Sequence, residues 1–232
     1  MRFSKPLIPA VFKKRPNRFL GVVDVEGNST LCFIPNPGRM MELLYSGSDV
    51  YLLEKNYYSR PRHRKTGYDL VLVDLDGTLV SIDSRTPNIL VREAIEEESL
   101  PMFHGMGISK KELVFEDSRL DFHLQGDSGS LLLEVKSCTL VEDRNGLFPD
   151  APTKRGRRHL RTLMKALKLG RSSVMFVIQR IDADTLRPNE ETDPRFAEAL
   201  REAARLGVEV YAYSCEVTLG KVSISRQVDI RL

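Results

Sequence analysis

The sequence predicts an α/β (α+β two-domain) protein, in which a small β-barrel precedes an α/β domain with a mixed sheet. Its 232 residues, 41% hydrophobic and 29% charged, have the composition of an ordinary folded chain. Residues 7–83 contain short alternating runs separated by tight turns, which is typical of strands. Beyond them, helical and strand-like segments alternate. We therefore expect a first domain at 1–84 and a second at 85–232.

The elements of the first domain are predicted as short strands. The stretch FLGVVDVEGNSTLCFI (19–34) forms two alternating runs around a Gly-Asn turn, and the strand pattern continues at 49–56 and 68–83. NPGRMMELL (36–44) interrupts it with a short helical turn. Several short strands joined by basic loops favour an oligonucleotide-binding (OB)-like barrel.

The second domain begins with a helix, for which Thr86 and Pro87 are suitable as cap and first residue. Strands are predicted in 112–117, 118–125 and 130–140. The helix at 153–169 follows, and then come a strand, a helix from Asp193 to Gly207 and a last strand. This order predicts a mixed sheet.

One short stretch suggests a different protein class. LVLVDLDGTLVSID (70–83) resembles the nucleophile loop of haloacid-dehalogenase-type phosphatases, with Asp74 and Asp76 as the acidic pair. However, such a loop precedes a helix, whereas Gly77 is followed by a second extended run. Asp76-Gly77 between two alternating segments instead predicts a hairpin with a type I′ turn.

The basic residues occur in blocks without acids, at 1–18, 55–65 and 153–169. Such blocks are typical of a protein that binds a polyanion, although the net charge is only +3. In the third block, cations recur every three or four residues and so form one helix face. The candidate nucleic-acid-binding residues are Arg15, Arg18, Arg39, Arg62, Arg64, Lys154, Arg155, Arg158 and Arg161.

The residues from 118 to 140 predict an active site on two antiparallel strands. If Gln125 pairs with Ser130, Asp121 lies directly opposite Glu134, close enough for two carboxylates to share one divalent cation. Lys136 lies two residues along on the face of Glu134, where it can stabilise the negative charge of a phosphate. Magnesium or manganese suits such ligands. The alternative to an active site is a structural cross-strand salt bridge, in which Lys136 neutralises the two acids.

The chain also resembles a known family. PNPGRMMELL (35–44), TPNILVREAI (86–95) and the long string from Glu134 to Leu163 are similar to the sugar fermentation stimulation protein A family. This resemblance implies an OB-like barrel, a restriction-endonuclease-like PD-(D/E)XK domain, DNA binding and a regulatory role in sugar catabolism. It carries over Asp121, Glu134 and Lys136 as the nuclease triad, and makes Glu93 and Gln179 further catalytic candidates.

Two other functions remain open from the sequence. The protein could be a DNA-binding regulator whose triad does no cutting. It could also act on RNA or single strands, because Tyr57 and Tyr58 can stack unpaired bases. Three widely spaced cysteines, no signal peptide and no membrane-length apolar run indicate a cytoplasmic protein.

Overall fold

The computed structural model describes residues 1–55, 66–127 and 129–232. The described strands of the first sheet are β1 (Ile8–Asn17), β2 (Leu20–Val25), β3 (Asn28–Phe33), β4 (Asp49–Glu54), β5 (Tyr68–Leu75) and β6 (Thr78–Ser81). Their order is β3-β2-β1-β4-β5-β6, and a further pairing of β3 with β5 closes the first five into a barrel. The barrel encloses its own core, which includes Phe12, Leu52 and Val73. The predicted N-terminal barrel is therefore confirmed.

The second part of the chain forms a mixed α/β arrangement. Its strands are β7 (Met106–Phe115), β8 (Ser118–Gly126), β9 (Gly129–Cys138), β10 (Val141–Glu142), β11 (Asn145–Phe148), β12 (Arg171–Ile178), β13 (Thr185–Pro188), β14 (Glu209–Val217), β15 (Val222–Gln227) and β16 (Asp229–Ile230). The main sheet runs β15-β14-β12-β9-β8-β7, with β12 parallel to both β9 and β14. A small sheet runs β10-β11-β13-β16. The mixed sheet is as the sequence predicts.

Three α-helices flank this sheet within the described residues: α1 (Thr86–Glu96), α2 (Lys154–Ala166) and α3 (Pro194–Leu206). Asp193 caps α3 by accepting from the Phe196 N–H at 3.0 Å, and Gly207 ends it at φ 107°. Thr153 caps α2 in the same way. For α1 the predicted cap is one residue off, since Arg85 takes that position and Thr86 is already helical. The predicted short helical turn within 36–44 is confirmed at its end, where the N–H groups of Leu43 and Leu44 donate to the Met40 carbonyl at 3.2 and 2.9 Å.

The main sheet separates two cores. One core packs against α1 and includes Leu90, Phe122 and Val135. The other packs against α2 and α3 and includes Leu160 and Phe196. Because β9 is central in the sheet, its alternate residues face the two cores in turn. Polar side chains of β9 are therefore held in buried surroundings.

Hydrogen bonds join the barrel to the mixed sheet near the ends of β9 and β12. The backbone N–H of Ser81 donates to the Gln179 carbonyl at 2.9 Å, and the Ser81 hydroxyl donates to Gln179 Oε1 at 2.9 Å. The Arg39 N–H donates to Asp150 Oδ2 at 2.9 Å. The Ser81 bonds hold the end of β6 against β12, and the Arg39 bond holds the barrel loop 36–39 beside the second domain.

Candidate active site and basic surface

The predicted register of β8 and β9 is confirmed, with Gln125 opposite Ser130. Regular pairing continues as far as Phe122 and Leu133 and then ends, one position before Asp121. Asp121 thus lies where the two strands stop exchanging regular ladder bonds. This is a position at which a side chain can reach a backbone donor of the neighbouring strand.

The alternation of β8 breaks at the same place. Leu120 packs in the core beneath α2 and α3, whereas Phe122 and Leu124 pack in the core beneath α1. Period-two alternation predicts that these three side chains share one face, and the structure shows that prediction to be wrong. Regular period-two spacing cannot anticipate the change, because it arises where the strand pairing ends.

Asp121 is held by neutral donors. Its Oδ2 accepts from the Val135 N–H at 2.8 Å, and its Oδ1 accepts from the Asn88 amide of α1 at 2.7 Å. Burial and the nearby charge of Glu134 raise the pKa of Asp121 to about 6. The carboxylate thus lies in surroundings where burial and a second acid both disfavour its charged form.

Glu134 has the protein's own cation beside it. Lys136 Nζ donates to Glu134 Oε1 at 2.5 Å, and Nδ1 of His159, on α2, contacts the same oxygen. Burial alone raises the pKa of Glu134, but Lys136 and His159 outweigh it and lower that pKa. The other oxygen, Oε2, is buried without a hydrogen-bond partner in the described part of the chain. A buried carboxylate oxygen without a donor requires an explanation.

The site fits a hard divalent cation. Asp121 and Glu134 both supply carboxylate oxygens, which such ions prefer, and Glu134 Oε2 is free of other partners among the described residues. No group of three or more His, Cys, Asp or Glu residues suited to a metal occurs in the ranges described. Any cation at this pair would therefore need further oxygen ligands, such as water, a backbone carbonyl or a phosphate.

Two contributors to the site were missed from the sequence. His159 is buried and lies with Gly156, Leu160 and Leu163 on the inner face of α2, at a helical spacing visible in the sequence. A polar residue within an apolar stripe is the signal that could have identified it. Asn88, near the start of α1, has no comparable signal, because its role depends on how that helix packs.

The structure does not bring Glu93 and Gln179 into this cluster. Glu93 Oε2 accepts from the α-amino group of Met1 at 2.6 Å, and Asn88 is the α1 residue that contacts Asp121. Gln179 has both side-chain ends bonded: its Oε1 accepts from Ser81 and its Nε2 donates to the Ser137 hydroxyl at 2.9 Å. Gln179 directly follows β12 and contacts Ser81 of the barrel, so it lies at the junction between the two domains.

The outer face of α2 is basic and exposed. Lys154, Arg158 and Arg161 are exposed and form no ion pair within the described residues. Arg155 is also exposed, and its Nε donates to His159 Nε2 at 3.2 Å. Lys165 is paired with Glu116 at 2.5 Å, and Lys168 lies beyond the end of the helix. The predicted basic face therefore exists, with three cations available to a partner.

The barrel arginines differ among themselves. The Arg15 guanidinium donates to the carbonyls of Gly38, Arg39, Arg18 and Asn36 at 2.7–2.8 Å. Because these bonds use both terminal nitrogens, Arg15 stabilises the loop 36–39 and is poorly placed to bind a phosphate. Arg18 and Arg39 are exposed, and Arg18 lies over the Phe19 ring. Arg62 and Arg64, like Tyr57 and Tyr58, lie outside the described residues.

The phosphatase-like stretch is a hairpin. Leu75 pairs with Thr78 across the turn, and Asp76 and Gly77 have φ of 50° and 86°. Asp74 Oδ1 accepts from the Gly77 N–H at 2.7 Å. Positive φ at both central residues is the signature of a type I′ turn, so the hairpin prediction is confirmed.

Comparisons with known proteins agree with this architecture. The model of the SfsA N-terminal OB domain matches residues 14–82, and that of the sugar fermentation stimulation protein RE domain matches residues 85–221. The predicted fold, an OB barrel followed by a restriction-endonuclease-like domain, is thereby confirmed. Across the described residues, no helix combines the length and apolar character needed to cross a membrane.

Relatives match along nearly the whole chain. The sugar fermentation stimulation protein homolog of Moorella thermoacetica is 48% identical over 228 residues, 97% of each chain. That of Desulforamulus reducens is 41% identical over 97% of this chain and 93% of its own. The solved structure of Pyrococcus furiosus SfsA in complex with Ca²⁺ has a TM-score of 0.92 and 31% identity, covering 100% of this chain and 98% of that one. The chain belongs to the sugar fermentation stimulation protein family.

Proposed function

We propose that this protein binds DNA and hydrolyses phosphodiester bonds at a magnesium-dependent site formed by Asp121, Glu134 and Lys136. The observation that supports the proposal most strongly is the buried, unpartnered Oε2 of Glu134 beside a second acid whose pKa is raised to about 6. Two neighbouring carboxylates repel each other unless a cation lies between them.

Asp121 and Glu134 Oε2 would hold the cation. Their hard oxygen atoms suit Mg²⁺ or Mn²⁺, and the Pyrococcus furiosus relative was solved in complex with Ca²⁺, another hard cation. When bound, such an ion activates a water molecule and polarises a phosphoryl oxygen. The Val135 N–H and the Asn88 amide would orient Asp121 by the bonds they already make.

Lys136 would stabilise the negative charge that develops on the scissile phosphate. It is largely buried, with a side chain about 10% exposed, so its charge is weakly screened by water. It also lines a cleft with a volume of 340 Å³ between the barrel loop 36–38 and β9. Lys136 therefore lies between the buried Glu134 carboxylate and a cavity that residues of both domains line.

The outer face of α2 would bind the DNA backbone. Lys154, Arg158 and Arg161 are free of ion pairs in the described ranges, and Lys154 and Arg161 also line a groove of 600 Å³ between α2 and α3. Contacts of this kind release counterions and do not depend on base sequence. The opposite face of the same helix directs His159 at Glu134, so α2 would connect the DNA-binding surface with the proposed site.

A specific observation favours a second candidate, a DNA-binding regulator that does not cut. Lys136 already donates to Glu134 Oε1, an ion pair within β9 itself and not across two strands, and such a pair can have a purely structural role. A lysine neutralised in this way could serve stability alone. The protein would then bind DNA and act in the control of sugar catabolism without hydrolysis.

A cleavage assay distinguishes these candidates. The purified protein is incubated with duplex DNA, single-stranded DNA and RNA in the presence of magnesium or manganese, beside Asp121→Asn and Lys136→Ala. We expect metal-dependent cutting by the parent only, with both variants still binding DNA. DNA binding without cutting, together with unchanged binding by both variants, would establish the regulator instead.

A further inference from the structure

The two oxygens of Glu134 have very different surroundings. Oε1 receives both available donors, Lys136 Nζ at 2.5 Å and His159 Nδ1, whereas Oε2 has no partner in the described chain. All three groups are buried. Since buried polar atoms are nearly always hydrogen-bonded, the lack of a partner for Oε2 needs a cause.

The bond from Arg155 determines which nitrogen of His159 carries the proton. Arg155 Nε can only donate, and it lies 3.2 Å from His159 Nε2, so Nε2 is the acceptor. In the neutral ring, Nδ1 then carries the hydrogen and donates it to Glu134 Oε1. The contact of 3.3 Å between Lys136 Nζ and Nδ1 leaves the lysine hydrogen directed at the carboxylate.

We propose that His159 is a positioning residue that holds Glu134 by one oxygen and so reserves Oε2 for a divalent cation, with Arg155 fixing its tautomer. This inference rests on the proposed function. His159 belongs to α2, so it anchors a strand carboxylate to a neighbouring helix and resists rotation of that carboxylate. It also remains on Oε1 when Lys136 turns towards a phosphate, so the carboxylate keeps a donor throughout.

The role of Arg155 links the basic surface to the cation site. Arg155 is exposed on the face that we assign to DNA, and yet its Nε contacts the buried ring. Partners that orient a ligand in this way commonly change metal affinity by 10- to 100-fold when removed. If His159 contributed packing alone, cation affinity would not depend on its N–H donor or on the bond from Arg155.

Calcium titration by calorimetry tests the proposal with a matched pair of variants. His159→Asn keeps an N–H donor near the position of Nδ1, while His159→Leu has nearly the same volume and no donor. We expect Ca²⁺ affinity to fall about tenfold or more in His159→Leu and to stay within about threefold of the parent in His159→Asn. Arg155→Ala, a surface change, should lower the affinity severalfold.

The controls separate this inference from the proposed function. Thermal unfolding without cation shows whether each variant is folded, and Arg155→Ala decides the test if His159→Leu is not. A parent that binds Ca²⁺ while His159→Leu or Arg155→Ala binds it equally well would overturn the positioning role alone. Equal losses in His159→Asn and His159→Leu would also overturn it. A parent that binds no cation would refute the proposed function as well.

Discussion

Asp121 and Glu134 lie on neighbouring strands of one sheet, yet their surroundings shift the two pKa values in opposite directions. Glu134 receives Lys136 and His159, which lower its pKa in spite of burial. Among the described residues, Asp121 accepts hydrogen bonds from the neutral groups of Val135 and Asn88, and burial with the charge of Glu134 raises its pKa to about 6. Lys136 therefore contacts Glu134 directly, whereas its charge offsets only part of the effect of burial and of Glu134 on Asp121. This difference is consistent with the cation site that we propose.

Removal of each carboxylate in turn gives the largest expected contrast. Glu134→Gln leaves the buried Lys136 without its counter-charge and should lower the free energy of unfolding by about 3 kcal/mol. Asp121→Asn also relieves the repulsion from Glu134, so its cost should stay below about 1 kcal/mol. Urea denaturation at pH 7.5 without divalent cations measures both. Equal losses in the free energy of unfolding would show that Lys136 does not depend on Glu134 more than on Asp121.

A matched double variant sharpens this result. Glu134→Gln combined with Lys136→Met removes both charges and should recover most of the lost stability, because no buried charge is left unpaired. A double variant as unstable as Glu134→Gln alone would mean that packing, and not the charge of Lys136, explains the loss.

The contrast also predicts that DNA binding is separable from the carboxylate pair. The double variant Arg158→Ala with Arg161→Ala should weaken affinity for all DNA sequences by roughly 30-fold near 0.15 M salt. Each lost phosphate contact should reduce the slope of log affinity against log salt concentration, the salt slope, by about 0.9. Fluorescence anisotropy over a range of salt concentrations gives the slope. Ca²⁺ affinity should stay unchanged.

The control removes two arginines whose charges are already neutralised. Arg144 is paired with Asp184, and Arg201 with Glu190. Replacement of both by Ala removes the same total charge and should alter the salt slope much less. If this control weakens binding as strongly as the α2 variant, overall charge and not the α2 face controls affinity.

The raised pKa of Asp121 predicts the effect of pH. Its folded pKa of about 6 lies above the ordinary value of 3.8, so the folded state binds the proton more tightly. Without cation, its contribution to stability is therefore present below about pH 4 and is lost as pH rises towards 6. A cation competes with that proton, so Ca²⁺ affinity should fall roughly tenfold from pH 7 to pH 5. A Ca²⁺ affinity that does not change between pH 7 and pH 5 would show that the cation does not compete with a proton on Asp121.

A third carboxylate, Asp74, lies outside the proposed site, and its replacement should have the smallest effect on stability and DNA binding. Asp74 accepts from the Gly77 N–H in the exposed hairpin, and asparagine can accept the same bond. Asp74→Asn should leave stability within about 0.5 kcal/mol and DNA binding unchanged. Simple phosphate esters should not be hydrolysed by either protein. Magnesium-dependent phosphatase activity that disappears in Asp74→Asn would refute the hairpin interpretation.

The sequence specifies local features of this fold well. The turn at Asp76-Gly77 and the boundaries of α3 were predictable because each depends on residues that are adjacent in the chain. The register of β8 and β9 follows from a short hairpin loop in the same way. Within the site, Glu134 and Lys136 were placed on one face by period two, and they do form a contact.

Features that depend on packing between elements were not predictable. The rotation of α1 brings Asn88 to Asp121, while Glu93 contacts the amino terminus of the chain. The packing of α2 directs His159, and none of its arginines, at Glu134. Gln179 ends β12 at the barrel junction, which no pattern within its own strand indicates.

The most direct test of the central claim locates the cation itself. Crystals of the protein grown with Mn²⁺ at pH 7.5 would show the ion by anomalous diffraction. We predict one peak within bonding distance of the Asp121 carboxylate and of Glu134 Oε2, and its loss in Asp121→Asn. No peak at this pair at saturating Mn²⁺, or a peak that remains in Asp121→Asn, would contradict the claim that the two carboxylates form a cation site.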